Sequence, residues 1–365
     1  MGTLRVILAI SVIIAHSSAL FGFNFVGGSL AVESFYIISG FYMSLILNEK
    51  YIGEKGSYML FISNRFLRLY PVYWIVLLLT IPMIILFGGS IYDNYALYFH
   101  QMNFTTFAYL TFSNLMIFFQ DAVMFLGLNT DTGSLFFTSD FRLHDPQLYK
   151  FLFIPQAWTL GIELLFYIVA PFIVRRGLKV ILIIISASLL LRLILIRQGL
   201  DYDPWSYRFF PTELVFFLLG NISYRIYTKI RSISISPWLL NAAILFILGF
   251  TIFFNNIPLH KKTPVYLICF FILLPFIFRK TKNSKFDNYI GELSYPIYIS
   301  HLFVLFLLTT FKVPIIGGLG LTLTISTIIF SIILNELVAK KIEVLRQRRV
   351  KMKYNSVQLA GLKSP

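Results

Sequence analysis

The sequence predicts an all-α, polytopic integral membrane protein with about ten transmembrane helices, a re-entrant or interfacial segment, and both termini cytoplasmic. Composition is the first reason. Of the 365 residues, 58% are hydrophobic and only 13% are charged, roughly half the charge of a soluble domain. The second is that apolar stretches of bilayer-spanning length follow one another almost end to end, leaving no room for a soluble domain. The third is that lysines and arginines gather in the short segments between those stretches, on one side if the chain crosses ten times. The formal charge of +15 is therefore a topological signal and does not point to nucleic acid.

In order, the spans read as 4–23, 29–47, 69–88, 152–174, 178–197, 209–228, 236–256, 264–278, 290–311 and 319–338. The first has one leading cation and no convincing cleavage site after it, so it reads as a retained span and not a signal peptide. Lys50, Lys55, Arg65 and Arg68 separate spans two and three; Arg175, Arg176 and Lys179 separate four and five. Arg225, Lys229 and Arg231 follow span six, and Arg279, Lys280, Lys282 and Lys285 follow span eight. His260, Lys261 and Lys262 depart from the rule, in a short outer loop. The stretch 104–119, with TTFAYLTFSNLMIFF at its heart, would reverse every later basic cluster if it crossed. It is expected to be re-entrant or interfacial, joined to the large external loop 89–151. Irregular backbone at depth is tolerated only against protein or water, so this segment is expected to line the site. The chain divides into a membrane domain, 1–340, and a basic cytoplasmic tail, 341–365, expected to be partly disordered and drawn to anionic lipid. Cys269, the single cysteine, allows no intramolecular disulfide and reads as packing.

Ionisable side chains inside spans are costly and point to function. Arg5 and His16, eleven residues apart in span one, return to nearly the same helix face, about 16 Å apart along the axis. Their bland reading is an interfacial anchor and a packing histidine. His16, Glu163 and His301 each fall about 16–18 Å into a core of roughly 30 Å, and Glu33 about 6–9 Å below its outer edge. A carboxylate beside an imidazole is a common general-base arrangement. The four come from separate helices with no ligand spacing, so no metal is called for. His301, beside Tyr298 at i−3, equally suits helix packing. Arg192 and Glu213, in adjacent spans, read as a structural ion pair. On the cytoplasmic side Arg65 and Arg68, spaced i, i+3 at the start of span three with Pro71 in its first turn, suit phosphate oxygens, and Arg5 joins them. Positive-inside signalling alone also explains these arginines. Tyr92, Tyr95, Tyr98 and Phe99 offer sugar-stacking rings or an interfacial aromatic belt.

Five motifs in order make a recognisable set. They are Arg5 with ten residues before His16; GGSLAVESFYIISGF at 27–41; SNRFLRLYPVYW at 63–74; AWTLGIELLFY at 157–167; and ELSYPIYISH at 292–301. Together they resemble the acyltransferase 3 family, integral membrane sugar O-acyltransferases of about ten spans, along nearly the whole chain. Glu33 stands where many members have Asp, a departure that keeps the carboxylate. Some members carry a fused extracytoplasmic hydrolase-like domain, for which the chain beyond the last span is too short.

The resemblance implies transfer of an acetyl or other short acyl group from cytoplasmic acetyl-CoA or another acyl-CoA to a hydroxyl of an extracytoplasmic glycan. The acceptor would be O-antigen, capsule, exopolysaccharide or a lipid-linked sugar, and the location the inner (cytoplasmic) membrane. It puts Arg5 and His16 at the family's essential pair. From their geometry His16 is expected to act as general base with Glu33 or Glu163 supporting it, an acyl-His16 intermediate being the competing version. Arg5, Arg65 and Arg68 take the donor end, and Trp158, Tyr298 and His301 the substrate side. The expected partners are the glycan and membrane lipid, with no nucleic acid; homo-oligomerisation stays open. A proton-coupled transporter or exporter would use the same buried His and Glu set. No internal repeat is evident to support that alternative.

Overall fold

Local sequence chemistry sets most helix boundaries. Asn103 and Ser284 each accept a backbone N–H bond at a helix start, from Thr106 at 2.9 Å and Asp287 at 3.2 Å. Gly27, at φ +78°, makes the turn into the second helix that a side chain would resist. The computed structural model describes residues 1–51 and 57–361, so Lys55 and the tail's last residues, 362–365, lie outside the described residues.

The helices are α1 (Gly2–Ala15), α2 (Gly28–Glu49), α3 (Ser57–Phe87), α4 (Ser90–Tyr98), α5 (Phe104–Met116), α6 (Trp158–Ile173) and α7 (Leu178–Arg197). There follow α8 (Phe210–Ile230), α9 (Pro237–Phe253), α10 (Lys262–Thr281), α11 (Lys285–Thr310), α12 (Leu319–Leu334) and α13 (Lys340–Gly361). One antiparallel pair, β1 (Leu126–Leu128) and β2 (Leu135–Phe137), sits in the long loop after α5. Among the described residues, eight helices are long and apolar enough to cross a membrane. Two predicted spans fall outside that set. One is α1, which is only 14 residues long; the other is α8, whose apolar content is diluted by Glu213, Asn221 and Arg225. The protein is thus a helical, multi-pass membrane protein.

Four boundaries differ from expectation. Span one was placed at 4–23, yet α1 stops at Ala15 and His16 is its C-terminal cap residue. SSALFGFNF beyond it has little helical drive, and a tight bridge between Leu20 and Phe23 turns the chain. Pro71 is not in a first turn: α3 begins at Ser57, and both Pro71 and Pro82 lie inside it. The segment around 104–119 forms the 13-residue α5, about 20 Å long and too short for a crossing. Its C-terminal end is fastened to α3 instead of lining the central cavity. The Tyr73 hydroxyl donates to Asn114 O, the Tyr70 hydroxyl to Met116 O, and Trp74 Nε1–H to Leu115 O. The tail is helical over Lys340–Gly361 and joins α12 through a π-helical stretch, Asn335–Ala339.

Backbone-to-backbone packing fixes the middle of the bundle. A Cβ on Gly40 of α2 would stand 1.8 Å from Phe217 O of α8, and one on Gly220 of α8 would stand 2.1 Å from Ile37 O. Only glycine permits this approach. Phe41, Phe166 and Phe217 are fully buried around the contact, with Phe166 and Phe217 stacked at 4.1 Å.

Candidate active site

A narrow cavity of about 100 Å³ lies between α1, α2, α3, α6 and α11. It gathers residues far apart in sequence: Arg5, Arg65 and Arg68, with Glu163 and Tyr298. Arg65 is 5% exposed, and its Nε is buried without a hydrogen-bond partner. Among the described residues, none of the three arginines makes an ion pair. The one carboxylate with them, Glu163, is held by hydroxyls: Ser39 donates to its Oε1 at 2.6 Å, and the Tyr167 hydroxyl donates to the same oxygen. Three guanidinium groups around one carboxylate leave a surplus of positive charge. Sequestering such charge is costly unless an anion offsets it, so the cavity suits an anionic ligand.

The imidazoles stand beyond one wall of this cavity. Phe35 and Tyr298 line it with their rings 6.2 Å apart, and the Tyr298 ring lies 6.1 Å from that of His301. His301 in turn lies 5.2 Å from His16. A row of rings therefore leads from the arginine cavity to His16. His301 is fully buried, whereas His16 is exposed at the protein surface. His301 Nδ1 is 2.7 Å from the Tyr298 carbonyl. A carbonyl only accepts, so Nδ1 carries the proton and Nε2 the lone pair. That lone pair is buried without a partner. The Tyr298 hydroxyl donates to Gln156 O at 3.0 Å and meets the Thr159 hydroxyl at 2.8 Å.

Residues 2–336 match the family model described as an acyltransferase domain, Acyl_transf_3. The chain belongs to the acyltransferase 3 family. No curated protein and no solved structure gave a significant match.

Not every residue singled out in this acyltransferase 3 chain joins the two features above. Glu33 does not reach an imidazole. Its Oε1 accepts from Arg192 Nη2 at 3.4 Å, and the same nitrogen donates to Glu213 Oε1 at 3.2 Å. The Arg192–Glu213 pair is therefore present, with Glu33 as its third member. Because Glu163 is engaged by Ser39 and Tyr167, neither carboxylate orients His16 by a direct bond among the described residues. Trp158 also has a different neighbour from the one sought: the Arg208 guanidinium lies 4.1 Å over its ring. Asp203 holds that guanidinium by two bonds, at 2.5 and 3.0 Å, and Tyr207 by a third at 2.8 Å. In the outer loop, Tyr95 is a structural ring: its hydroxyl donates to Phe151 O and it stacks on Phe153 at 5.6 Å.

Ser39, Tyr167 and Arg208 were missed from sequence. Tyr167 lies one turn after Glu163 in AWTLGIELLFY, and that i, i+4 spacing was the available signal. Ser39 stands inside the quoted GGSLAVESFYIISGF. Arg208 had only its place between predicted spans five and six as a sign, since a cation in an expected outer loop runs against the charge rule. Among the described residues, no group of three or more His, Cys, Asp or Glu is gathered for a metal.

Proposed function

We propose that this acyltransferase moves an acetyl or other short acyl group from cytoplasmic acyl-CoA to a hydroxyl of an extracytoplasmic glycan. The observation that carries the donor half is the cavity in which, among the described residues, Arg5, Arg65 and Arg68 face the single carboxylate Glu163. Acyl-CoA brings phosphates to match guanidinium forks and a thin arm to match a narrow cavity. In this reading both termini are cytoplasmic, and Arg65 and Arg68 lie on the side where acyl-CoA is found. A cell's inner membrane is the location that fits this arrangement.

In this reading α1, rising about 21 Å, ends inside a core of roughly 30 Å. His16 then sits at depth, open toward the acceptor. His16 takes the proton of the acceptor hydroxyl, the hydroxyl oxygen bonds to the thioester carbon, and the carbon–sulfur bond breaks. The departing thiolate takes up the proton, leaving an ester and free CoA. For this the acyl end must pass the wall made by Phe35 and Tyr298. His301, with its Nε2 lone pair free, is the neighbour placed to support His16, in the role first sought for Glu33 or Glu163. Trp158 and Tyr298 belong to the substrate side. Candidate acceptors remain O-antigen, capsule, exopolysaccharide and lipid-linked sugars.

Acetyl-CoA binding to purified protein, wild type beside an Arg65→Ala/Arg68→Ala double variant, tests the donor half. Each lost charge-assisted bond is worth about 1.5–3 kcal/mol, so the double variant should bind at least about 100-fold more weakly. Equal binding by both proteins would remove the arginines from the donor site. Solute flux independent of any acyl-CoA would favour transport instead.

A further inference from the structure

We propose, on the donor reading above, that the tail helix α13 completes the donor site by walling a pocket for the phosphate-bearing nucleotide end of acyl-CoA. A second cavity, of about 480 Å³, opens between the end of α2, the start of α3 and α13. Its size falls in the range of small-molecule sites, about 300–1,000 Å³. Arg65 lines both this cavity and the narrow one, so the two share a wall at that residue. A bulky head in the larger space and a thin arm in the narrower one is the shape of an acyl-CoA.

The charges agree with the shape. Lys50, Arg65, Arg346 and Lys351 line the larger cavity, against Glu49 and Glu343. Both carboxylates are partly engaged. Glu343 accepts from Arg346, while Glu49 lies 3.6 Å from Arg231 and accepts from the Tyr224 hydroxyl at 3.3 Å. The Arg346 side chain is 9% exposed, and its Nε, like that of Arg65, is buried without a partner. Two sequestered guanidinium groups with unused donors on one cavity call for phosphate oxygens. The helix is held in place independently of any ligand: Arg349 donates to Asn64 Oδ1 at 3.1 Å and to Ser63 Oγ at 2.9 Å on α3. The family match ends at residue 336, so this wall comes from outside the matched domain. A lipid headgroup phosphate shares the chemistry, and the test must separate the two sources.

The test measures binding of CoA, adenosine 3′,5′-bisphosphate and phosphate-free S-acetylpantetheine to full-length protein. The wild type is compared with Arg346→Ala and Lys50→Ala, in neutral detergent and in nanodiscs containing phosphatidylglycerol. Lys50 caps the end of α2 and makes no hydrogen bond or ion pair to α13 among the described residues, so its loss leaves the tail helix's anchors to α3 in place. The expected result is a loss of about tenfold or more in CoA and bisphosphate affinity for each variant, with acetylpantetheine unchanged. Wild-type CoA affinity in both variants would overturn the pocket and leave the donor reading standing. CoA binding lost only when phosphatidylglycerol is present would assign the cations to lipid and also overturn it. Bisphosphate binding that depends on Arg346, in a wild type that discharges no acyl-CoA, would uphold the pocket while removing the donor reading. Wild type that binds neither nucleotide would remove both.

Discussion

The imidazole of His301 lies 5.2 Å from that of His16, ring centre to ring centre, with the two planes tilted by 37°. Helices at opposite ends of the sequence bring them together, and α1 packs against α11 through Gly2 and Gly291, which leave no room for a Cβ. Losing a general base typically costs 10²–10⁴-fold in rate. His16→Ala should therefore lower acyl transfer by that much while acyl-CoA binding and thermal unfolding stay near wild type. A variant with wild-type turnover would take His16 out of the chemistry.

His301 offers a second, separable result. Its Nδ1–H is committed to the Tyr298 carbonyl, so only Nε2 is available to a neighbour. His301→Gln should lower turnover and shift its pH profile with little change in donor affinity. A fall in unfolding temperature with an unchanged pH profile would mark the residue as packing alone.

Among the described residues, Glu163 is the only carboxylate lining the cavity that holds Arg5, Arg65 and Arg68. Glu163→Gln keeps the side chain's shape and removes the charge that offsets three cations. The empty variant should unfold at lower temperature, and acyl-CoA should raise its unfolding temperature by more than it raises that of wild type. Equal ligand-induced shifts would show that Glu163 does not balance the donor cations.

Asp121, in the loop after α5, is buried, and burial pushes its carboxyl up from 3.8 to about 6. The folded form thus prefers the neutral acid. Its favourable contribution is fully present below about pH 4 and is lost as pH rises through about 6. Asp121→Asn should flatten the pH dependence of thermal stability between those limits, with its gain seen near pH 7. The same slope in variant and wild type would place the titration elsewhere.

Gly40 tests the packing. Gly40→Ala drives a Cβ into the Phe217 carbonyl and should sharply lower the yield of folded protein, since overpacking at backbone costs about 1–3 kcal/mol or more. Gly177→Ala meets nothing within 4 Å and should fold normally.

What could be seen in the sequence follows from how local each signal is. Span α7 was placed at 178–197 and observed there, because a long apolar run between Gly177 and Gly199, broken only by Ser186, Ser188 and Arg192 between its charged ends, leaves one solution. The grouping of Arg5 with Arg65 and Arg68 in one cavity was legible because charge asymmetry predicts the same membrane face for all three. The early end of α1 was not, since apolarity continues through Leu20 and Phe21 while helicity does not. Hydropathy counts transfer into lipid and is blind to a backbone turn. The carboxylate roles were also out of reach. Depth put Glu33 and Glu163 in the same band as the histidines, but only rotation about each helix axis decides that Glu33 meets Arg192 and Glu163 meets Ser39. One sequence does not fix those rotations relative to one another.

The glycine contact between α2 and α8 bears on how the molecule could work. Ser39, which holds Glu163, and Glu33, which holds Arg192, both ride on α2. Sliding α2 along α8 would drive carbonyl oxygens through Cα atoms, so the two helices behave as a stator. A machine with a stator through its middle does not rock two halves about a central substrate. On the proposed reading, acyl transfer across such a centre would ask only a small part to yield: a ring at the wall, not a domain.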